Sequence, residues 1–302
     1  MNDTYKFSSF FKKANIFSII LFGISIICIV FKGLNYGIDF KGGTLIELRI
    51  IDKNITISDI RNSFRDMNVG DVNVKEFGNK GDYLIKIEQK VNNDGNFIKK
   101  LKEDINKSMS TETNFRRVEN VGPKVSTELL KSGLIAIGLS LAAMLFYIWI
   151  RFEWQFSLGS IIALFHDVVI TIGIFSILSF EINLSIIAAV LTIVGYSMND
   201  TVVIYDRIRE NLFKYNQMNI NEISNLSINE TLSRTIITSF TTLLALVSIF
   251  ILGGEILKGF SFAMILGVLI GTYSSIFVAA PVLKFLKVSH KTMEKKEEKI
   301  VP

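Results

Sequence analysis

The fold class this sequence predicts is an α-helical polytopic membrane protein: six transmembrane helices and one small α+β, ferredoxin-like domain outside the cytoplasm. Three observations predict it. Hydrophobic residues make up 49% of the 302, mean hydropathy is +0.41, and the apolar residues are bunched rather than dispersed. Six of the apolar blocks reach the roughly 20 residues that a bilayer crossing requires. The one long stretch outside them, 34–128, alternates strand-like and helix-like segments.

The blocks are read at 14–33, 129–150, 155–178, 183–204, 235–253 and 259–283. The first follows Lys12 and Lys13, as a signal peptide would. However, Phe31-Lys32-Gly33-Leu34-Asn35 stands where a small-residue cleavage site belongs, so a retained anchor is expected. Basic residues set the orientation. Lys6, Lys12 and Lys13 precede block one, and Arg151 separates blocks two and three. Arg207, Arg209 and Lys214 separate four and five, and Lys284, Lys287 and Lys291 follow six. On the opposite side the short loops near Phe180-Glu181-Ile182-Asn183 and Gly253-Gly254-Glu255-Ile256 offer only Lys258, so both termini are expected in the cytoplasm. Trp149 and Trp154 bracket a tight turn, the place for amphipathic rings at headgroup depth. The expected divisions are a cytoplasmic N-terminus 1–13, helix one at 14–33, the outer domain at 34–128, helices two to six at 129–283, and a cytoplasmic tail at 284–302.

Several function classes drop out. A net charge of +5 would suit a nucleic-acid binder, but here the cations flank apolar blocks and are explained by membrane orientation, so no nucleic acid is expected. Cys28 is the single cysteine, which excludes an intrachain disulfide and any cysteine-based metal site. His166 and His290 are the two histidines, and neither has a nucleophile or ligand cluster in the sequence around it. An enzyme is not expected, and neither is a metal or other cofactor.

Within 34–128, residues 44–51 (TLIELRII) read as a strand and 58–67 as a short helix with Ser58 as its N-cap. Residues 72–77 and 83–88 read as strands around the turn Gly78-Asn79-Lys80-Gly81. An amphipathic helix over 97–109 places Phe97, Ile98, Leu101 and Ile105 on one face, and 114–121 is the last strand. The order β-α-β-β-α-β is that of a ferredoxin-like unit.

Block six carries small residues at every fourth position: Gly259, Ala263, Gly267, Gly271, Ser275 and Ala279. Such a stripe lets another helix approach closely in lipid, without saying which chain supplies that helix.

Charged residues inside apolar blocks are the candidate functional groups, because charge at membrane depth is costly. Asn199 and Asp200 interrupt block four, and Arg234 stands at the entrance to block five. Asp200 and Arg234 fall at similar depths on consecutive helices, so a carboxylate–guanidinium pair is expected, with Asn199 placed to orient the acid. Taken singly, the acid could be a helix-end group and the arginine could snorkel to water. His166 and Asp167 lie near the middle of block three. A buried histidine beside an acid is either a proton relay or a neutral hydrogen-bonded pair. Neighbours on a helix point about 100° apart, so the two are expected to face different partners. Thr235, Thr238, Ser239, Thr241 and Thr242 are expected chiefly to bond back to their own helix.

Several motifs resemble the SecD/SecF family. Gly37-Ile38-Asp39-Phe40-Lys41-Gly42-Gly43-Thr44, directly after block one, is similar to the signature opening the family's periplasmic domain. Val121-Gly122-Pro123-Lys124-Val125-Ser126 is similar to its companion motif. Phe165-His166-Asp167, the run Gly195-Tyr196-Ser197-Met198-Asn199-Asp200-Thr201, Asp206-Arg207-Ile208-Arg209-Glu210-Asn211 and Ser233-Arg234-Thr235 resemble the SecF branch, at consistent places along nearly the whole chain.

The resemblance implies a subunit that pairs with SecD in a twelve-span assembly of the resistance-nodulation-division type. It implies work beside the translocon of SecY, SecE and SecG in the bacterial inner membrane, after the motor SecA, drawing an unfolded polypeptide across with the proton gradient. It places the family's proton-linked acid at Asp200 and its arginine at Arg234. Two rival readings are a small-molecule exporter of the same superfamily, which 34–128 is too short to serve alone, and a scaffold without energy coupling.

Overall fold

The computed structural model describes residues 5–50, 55–67, 70–76, 80–88, 96–109 and 113–290. The turn at Gly78 and Asn79 and the tail beyond His290 lie outside the described residues. Chain packing divides the protein into two units: one of 1–34, 136–180 and 185–302, the other of 35–135 and 181–184.

The helical unit draws on helices long and apolar enough to cross a membrane, six of them among the described residues. They are α1 (Phe11–Phe31), α5 (Pro123–Arg151), α6 (Trp154–Leu178), α7 (Leu184–Lys214), α8 (Ile220–Leu252) and the continuous run Ile256–Phe285. All six are longer than their apolar blocks, α5, α7 and α8 by the most. Pro123 opens α5 six residues before block two, because proline is tolerated where the first amides have no helical partner. Polar extensions lengthen α7 to Lys214 and start α8 at Ile220. A capping box explains the second start: the Asn219 side chain accepts from the amides of Asn221 and Glu222, and Glu222 reaches back to the Asn219 amide. α6 ends at Ser179, which takes up the left-handed conformation.

The last run is not one uniform helix. α9 (Gly254–Ser274) passes into a π-helical turn, Ser275–Ala279, and then α10 (Ala280–Phe285). Pro281 lacks the N–H that would bond back one turn, so the ladder reorganises ahead of it. The core between the helices includes Phe152, Phe156, Leu164, Val194, Ile204, Tyr205 and Leu283.

The α+β unit has a four-stranded antiparallel sheet in the order β3-β4-β2-β5, formed by β2 (Gly43–Ile50), β3 (Asp71–Glu76), β4 (Asp82–Glu88) and β5 (Thr113–Val121). With α3 (Ile57–Asp66) and α4 (Asn96–Met109) this gives the expected β-α-β-β-α-β order. Ile46, Leu48, Ile50, Tyr83, Ile85 and Ile87 alternate along two strands to face Ile60, Phe64, Leu101 and Ile105 of the helices. A register shift opposite Glu47 and Leu48 loops Arg116 out of the ladder.

The N-cap of α3 is Thr56, not Ser58. Its hydroxyl accepts from the Asp59 amide while the Asp59 carboxylate accepts from the Thr56 amide at 2.8 Å. Asp59, three residues on, completes the reciprocal arrangement, and this fixes the start two residues earlier than expected.

A second, two-stranded parallel sheet was not foreseen. β1 (Asn35–Tyr36) pairs with β6 (Glu181–Ile182), which connects α6 to α7. Pairs this short carry no periodicity for a sequence reading to detect.

Candidate functional site

Asp167 on α6 is wholly buried and is the best-partnered acid of the helical unit. Its Oδ2 accepts from the Ser197 hydroxyl at 2.5 Å and from the Ser274 hydroxyl at 2.7 Å. The first donor belongs to α7 and the second to the last turn of α9, so one carboxyl group joins three helices. Its Oδ1 lies 2.9 Å from His166 Nδ1. His166 and Asp167 face different neighbours, as expected, the carboxyl reaching α7 and α9 and the imidazole turning to α1, yet the two also bond to each other. Their Cβ directions diverge, but the imidazole folds back to reach the adjacent carboxyl. His166 also stacks on Phe22 of α1, with ring centroids 6.3 Å apart and planes 3° from parallel. Its Nε2 is buried without a hydrogen-bond partner among the described residues.

Asp200 is the second buried acid, 4% exposed on α7. Its Oδ2 is buried with no hydrogen-bond partner among the described residues. Ser239 of α8 stands close by, and Arg234 of α8 acts on the carboxyl at longer range. Arg234 itself is exposed, and among the described residues it makes no ion pair within 4.0 Å. The expected contact pair is thus absent. The acid points into the packed helices and the guanidinium points out of them, although both stand at comparable depth. Asn199 is also exposed, one residue and about 100° from Asp200, so it does not orient the acid.

The hydroxyls of α8 divide. Thr238, Thr241 and Thr242 bond back to carbonyls of their own helix at 2.8–3.1 Å. Ser239 does not; its hydroxyl meets Thr272 of α9 at 2.7 Å. Thr235 Oγ1 is buried and has no partner among the described residues.

The helix that fits the small-residue stripe lies in this chain. A β-carbon on Gly259 would touch Ile186, one on Gly267 would overlap Ile193, and one on Gly271 would crowd Ser197 at 3.0 Å. All three neighbours are on α7. Ala263, Ser275 and Ala279 are fully buried on the same stripe. The close approach brings Ser274 and Ser197 to one carboxylate. It also lets the Tyr205 hydroxyl donate to the Ala279 carbonyl at 2.8 Å, within the π-helical turn. Tyr205 fits against α6 because position 159 is glycine.

Beyond Asp200, α7 and α8 are pinned together by polar side chains. Asn211 donates to Ser227 at 2.9 Å and to Glu230 at 2.7 Å, and Arg207 donates to Glu230 at 2.7 Å. Arg209 pairs with the buried Glu153 at 3.5 Å. Among the described residues no cluster of three or more His, Cys, Asp or Glu has the geometry to hold a metal ion.

In the α+β unit the glycine-rich motif meets its companion. Gly43 pairs in register with Val121, and Gly42, at φ 79°, packs its α-carbon face against Val121 and Pro123, so Gly122 and Pro123 close the end of the sheet. Gly43 has φ 134°, and a β-carbon there would strike the Ile87 carbonyl. Phe40 is buried, and Asp39 Oδ2 accepts from the backbone amide of Leu184 at 2.9 Å.

The family model for the SecD/SecF protein-export membrane protein, C-terminal, matches residues 101–289, and the SecD/SecF GG motif matches 29–50. The chain belongs to the SecD/SecF family.

Relatives within that family agree along the length. The protein translocase subunit SecF of Rickettsia bellii is 46% identical over 282 residues, covering 92% of each chain. That of Cereibacter sphaeroides is 42% identical over 281 residues, covering 90% of this chain and 86% of its own. A crystal structure of SecDF from Thermus thermophilus, a translocon-associated membrane protein, superposes with a TM-score of 0.84 at 33% identity. It covers 95% of this chain, which in turn spans 39% of that longer one. A SecDF in a super-membrane-facing form gives a TM-score of 0.71 at 32% identity.

Ser197, Ser274 and Tyr205 escaped the sequence reading. Serine and tyrosine inside an apolar helix are ordinary residues, and only the fold brings two hydroxyls to one acid.

Proposed function

We propose that this chain is the SecF-type subunit of a protein-export assembly in the bacterial inner membrane, and that it couples proton movement to late translocation. The observation that carries the reading is Asp200: an acid 4% exposed, with one carboxyl oxygen lacking a donor among the described residues. A buried carboxyl with a vacant acceptor is a place for a proton to arrive and leave.

In this reading Asp200 is the group that changes protonation, and Arg234 favours the charged state from a distance. Asp167 and His166 form the adjoining polar layer, and Asn199 faces a partner rather than the acid. The available driving force is sufficient. One charge crossing 100 mV supplies about 2.3 kcal/mol, enough to shift a balanced two-state equilibrium roughly fiftyfold.

The same reading assigns partners. Arg234, Ile237, Thr241, Leu244 and Ser248 recur at helical spacing on α8, and all are exposed. An arginine on such a face is expensive against lipid, so we assign the face to a second six-helix half, a SecD subunit. The complex would act on an unfolded polypeptide emerging from the SecY, SecE and SecG translocon, with SecA contributing indirectly. Both termini are placed in the cytoplasm and the α+β domain in the periplasm, following the distribution of lysine and arginine.

Asp200→Asn tests the reading. Secretion of a preprotein is followed in cells, or in inverted vesicles holding the partner chain, with and without a proton gradient. The variant is expected to retain gradient-independent secretion and lose the gradient-dependent part. Full gradient stimulation in Asp200→Asn overturns the proton role.

A further inference from the structure

α7 starts inside the α+β unit, which includes residues 181–184. Its first amide, that of Leu184, donates to the carboxylate of Asp39, 145 positions earlier in the chain. An acid at a helix N-terminus satisfies an otherwise unpaired N–H and lies favourably against the helix dipole. Such caps usually come from the residue just before the helix. Here the acceptor comes from the glycine-rich motif, on the far side of α3 through α6 in sequence.

Asp39 is not an isolated contact. Two residues before it, the Gly37 amide donates to the Ile182 carbonyl at 2.8 Å. Asn35 and Tyr36 pair in parallel register with Glu181 and Ile182. The Glu181 carboxylate forms an ion pair with Lys86 of β4, and it lies where a β-carbon on Gly37 would be. A side chain at position 37 would therefore push the Glu181 carboxylate aside. Five consecutive residues, 35–39, clasp the four-residue connection 181–184 through backbone bonds and one acid.

The geometry points to Asp39 as a positioning residue: it caps α7 from outside the helix and completes a clasp through which displacement of α7 is passed to the α+β domain. Asp200 lies sixteen residues further along the same helix, about 24 Å at 1.5 Å per residue. A continuous helix transmits axial movement over that distance only if its end is gripped. The two-residue ladder supplies few bonds for this, so the cap contributes a substantial share of the hold. The inference rests on the proposed role of Asp200 in driving α7.

The test uses the full-length chain with its partner, in a Cys28→Ser background. Three changes are compared: Asp39→Ala, Asp39→Asn, and Asp39→Ala combined with Asn35→Cys and Glu181→Cys, which are partners in the β1–β6 ladder. Asp39→Ala is expected to lower gradient-dependent secretion about fivefold, the ratio that corresponds to losing an ordinary N-cap. Asp39→Asn, whose amide oxygen still accepts, is expected to remain within about twofold of the parent. Oxidising the cysteine pair is expected to restore the alanine variant, and reducing it to remove the gain. Unchanged secretion in Asp39→Ala, or no rescue by the oxidised bridge, overturns the mechanical link.

Hydrogen exchange of a peptide spanning 181–187, in the purified chain, reads the cap without reference to secretion. Asp39→Ala is expected to speed exchange at Leu184 about fivefold. Unchanged exchange overturns the cap itself. If the parent chain shows no gradient-dependent secretion, the proposed function fails, while the exchange result still decides the role of Asp39 at α7.

Discussion

The Asp167 carboxylate and the Ser274 hydroxyl, 107 residues apart in sequence, lie 2.7 Å from each other with Asp167 wholly buried. With Ser197 on the same oxygen, this contact ties α6, α7 and α9 at one point. A buried acid stripped of its donors keeps its desolvation cost without compensation. Ser197→Ala and Ser274→Ala are therefore each expected to cost about 1–3 kcal/mol of stability. The double variant should depart from the sum by about 0.5–3 kcal/mol, because the two hydroxyls share one acceptor. Denaturant unfolding of the detergent-solubilised chain measures both. Additivity within error would show that Asp167 is not a shared hub.

The stripe on α9 makes a contrasting pair of predictions. A methyl group at position 267 would overlap Ile193, whereas one at position 195 meets nothing within 4 Å. Gly267→Ala is expected to destabilise by about 1–3 kcal/mol through overpacking. Gly195→Ala is expected to be neutral, or stabilising by up to about 1 kcal/mol through reduced freedom of the unfolded chain. Thermal unfolding of the two variants side by side checks the ordering.

Arg234 is expected to tolerate lysine. Arginine outperforms lysine where its planar fork grips a carboxylate, and no such grip exists here, since Arg234 makes no ion pair within 4.0 Å among the described residues. A charge acting at longer range needs only its sign and approximate position. Arg234→Lys should keep gradient-dependent secretion within about twofold, whereas Arg234→Ala should lose most of it. Equal loss in both variants would point to a geometric role for the guanidinium.

Acid should loosen α3. The Thr56 hydroxyl and amide hold the Asp59 carboxyl below its ordinary range, outweighing a small opposing effect of burial. A carboxyl whose folded value is depressed contributes stability that is present above the ordinary carboxylate range and lost as pH falls through the folded value. Exchange protection of 57–66 should therefore fall on acidification below about pH 4. Thr56→Ala should lower that protection at neutral pH and flatten its acid dependence. An unaltered profile in Thr56→Ala would remove the capping box as the cause.

How much of this was legible beforehand follows from what each feature depends on. Six spans, the β-α-β-β-α-β order and the Ile/Leu alternation of β2 and β4 are one-dimensional patterns, set by bilayer thickness and by the periods of helix and strand. The stripe from Gly259 to Ala279 was likewise visible, because close helix packing demands small residues at a fixed interval. Thr56 with Asp59 and Ser58 are alternative starts in the sequence: a cap is defined by which hydroxyl reaches the third amide, and both residues are chemically able to do so.

The sequence also marked out Asp167, His166, Asp200 and Arg234, because charge in an apolar run is costly wherever the run is folded. What each touches was decided by the tertiary structure. A helix fixes depth along its axis but not which way it is rotated against its neighbours. That rotation turns Asp200 inward and Arg234 and Asn199 outward, so the anticipated contact pair does not form. The same packing delivers Ser197 and Ser274 to Asp167, and Asp39 to the first amide of α7. Hydrogen bonds between residues 30 to 145 positions apart leave no periodic trace in a chain; they exist only once the elements have met.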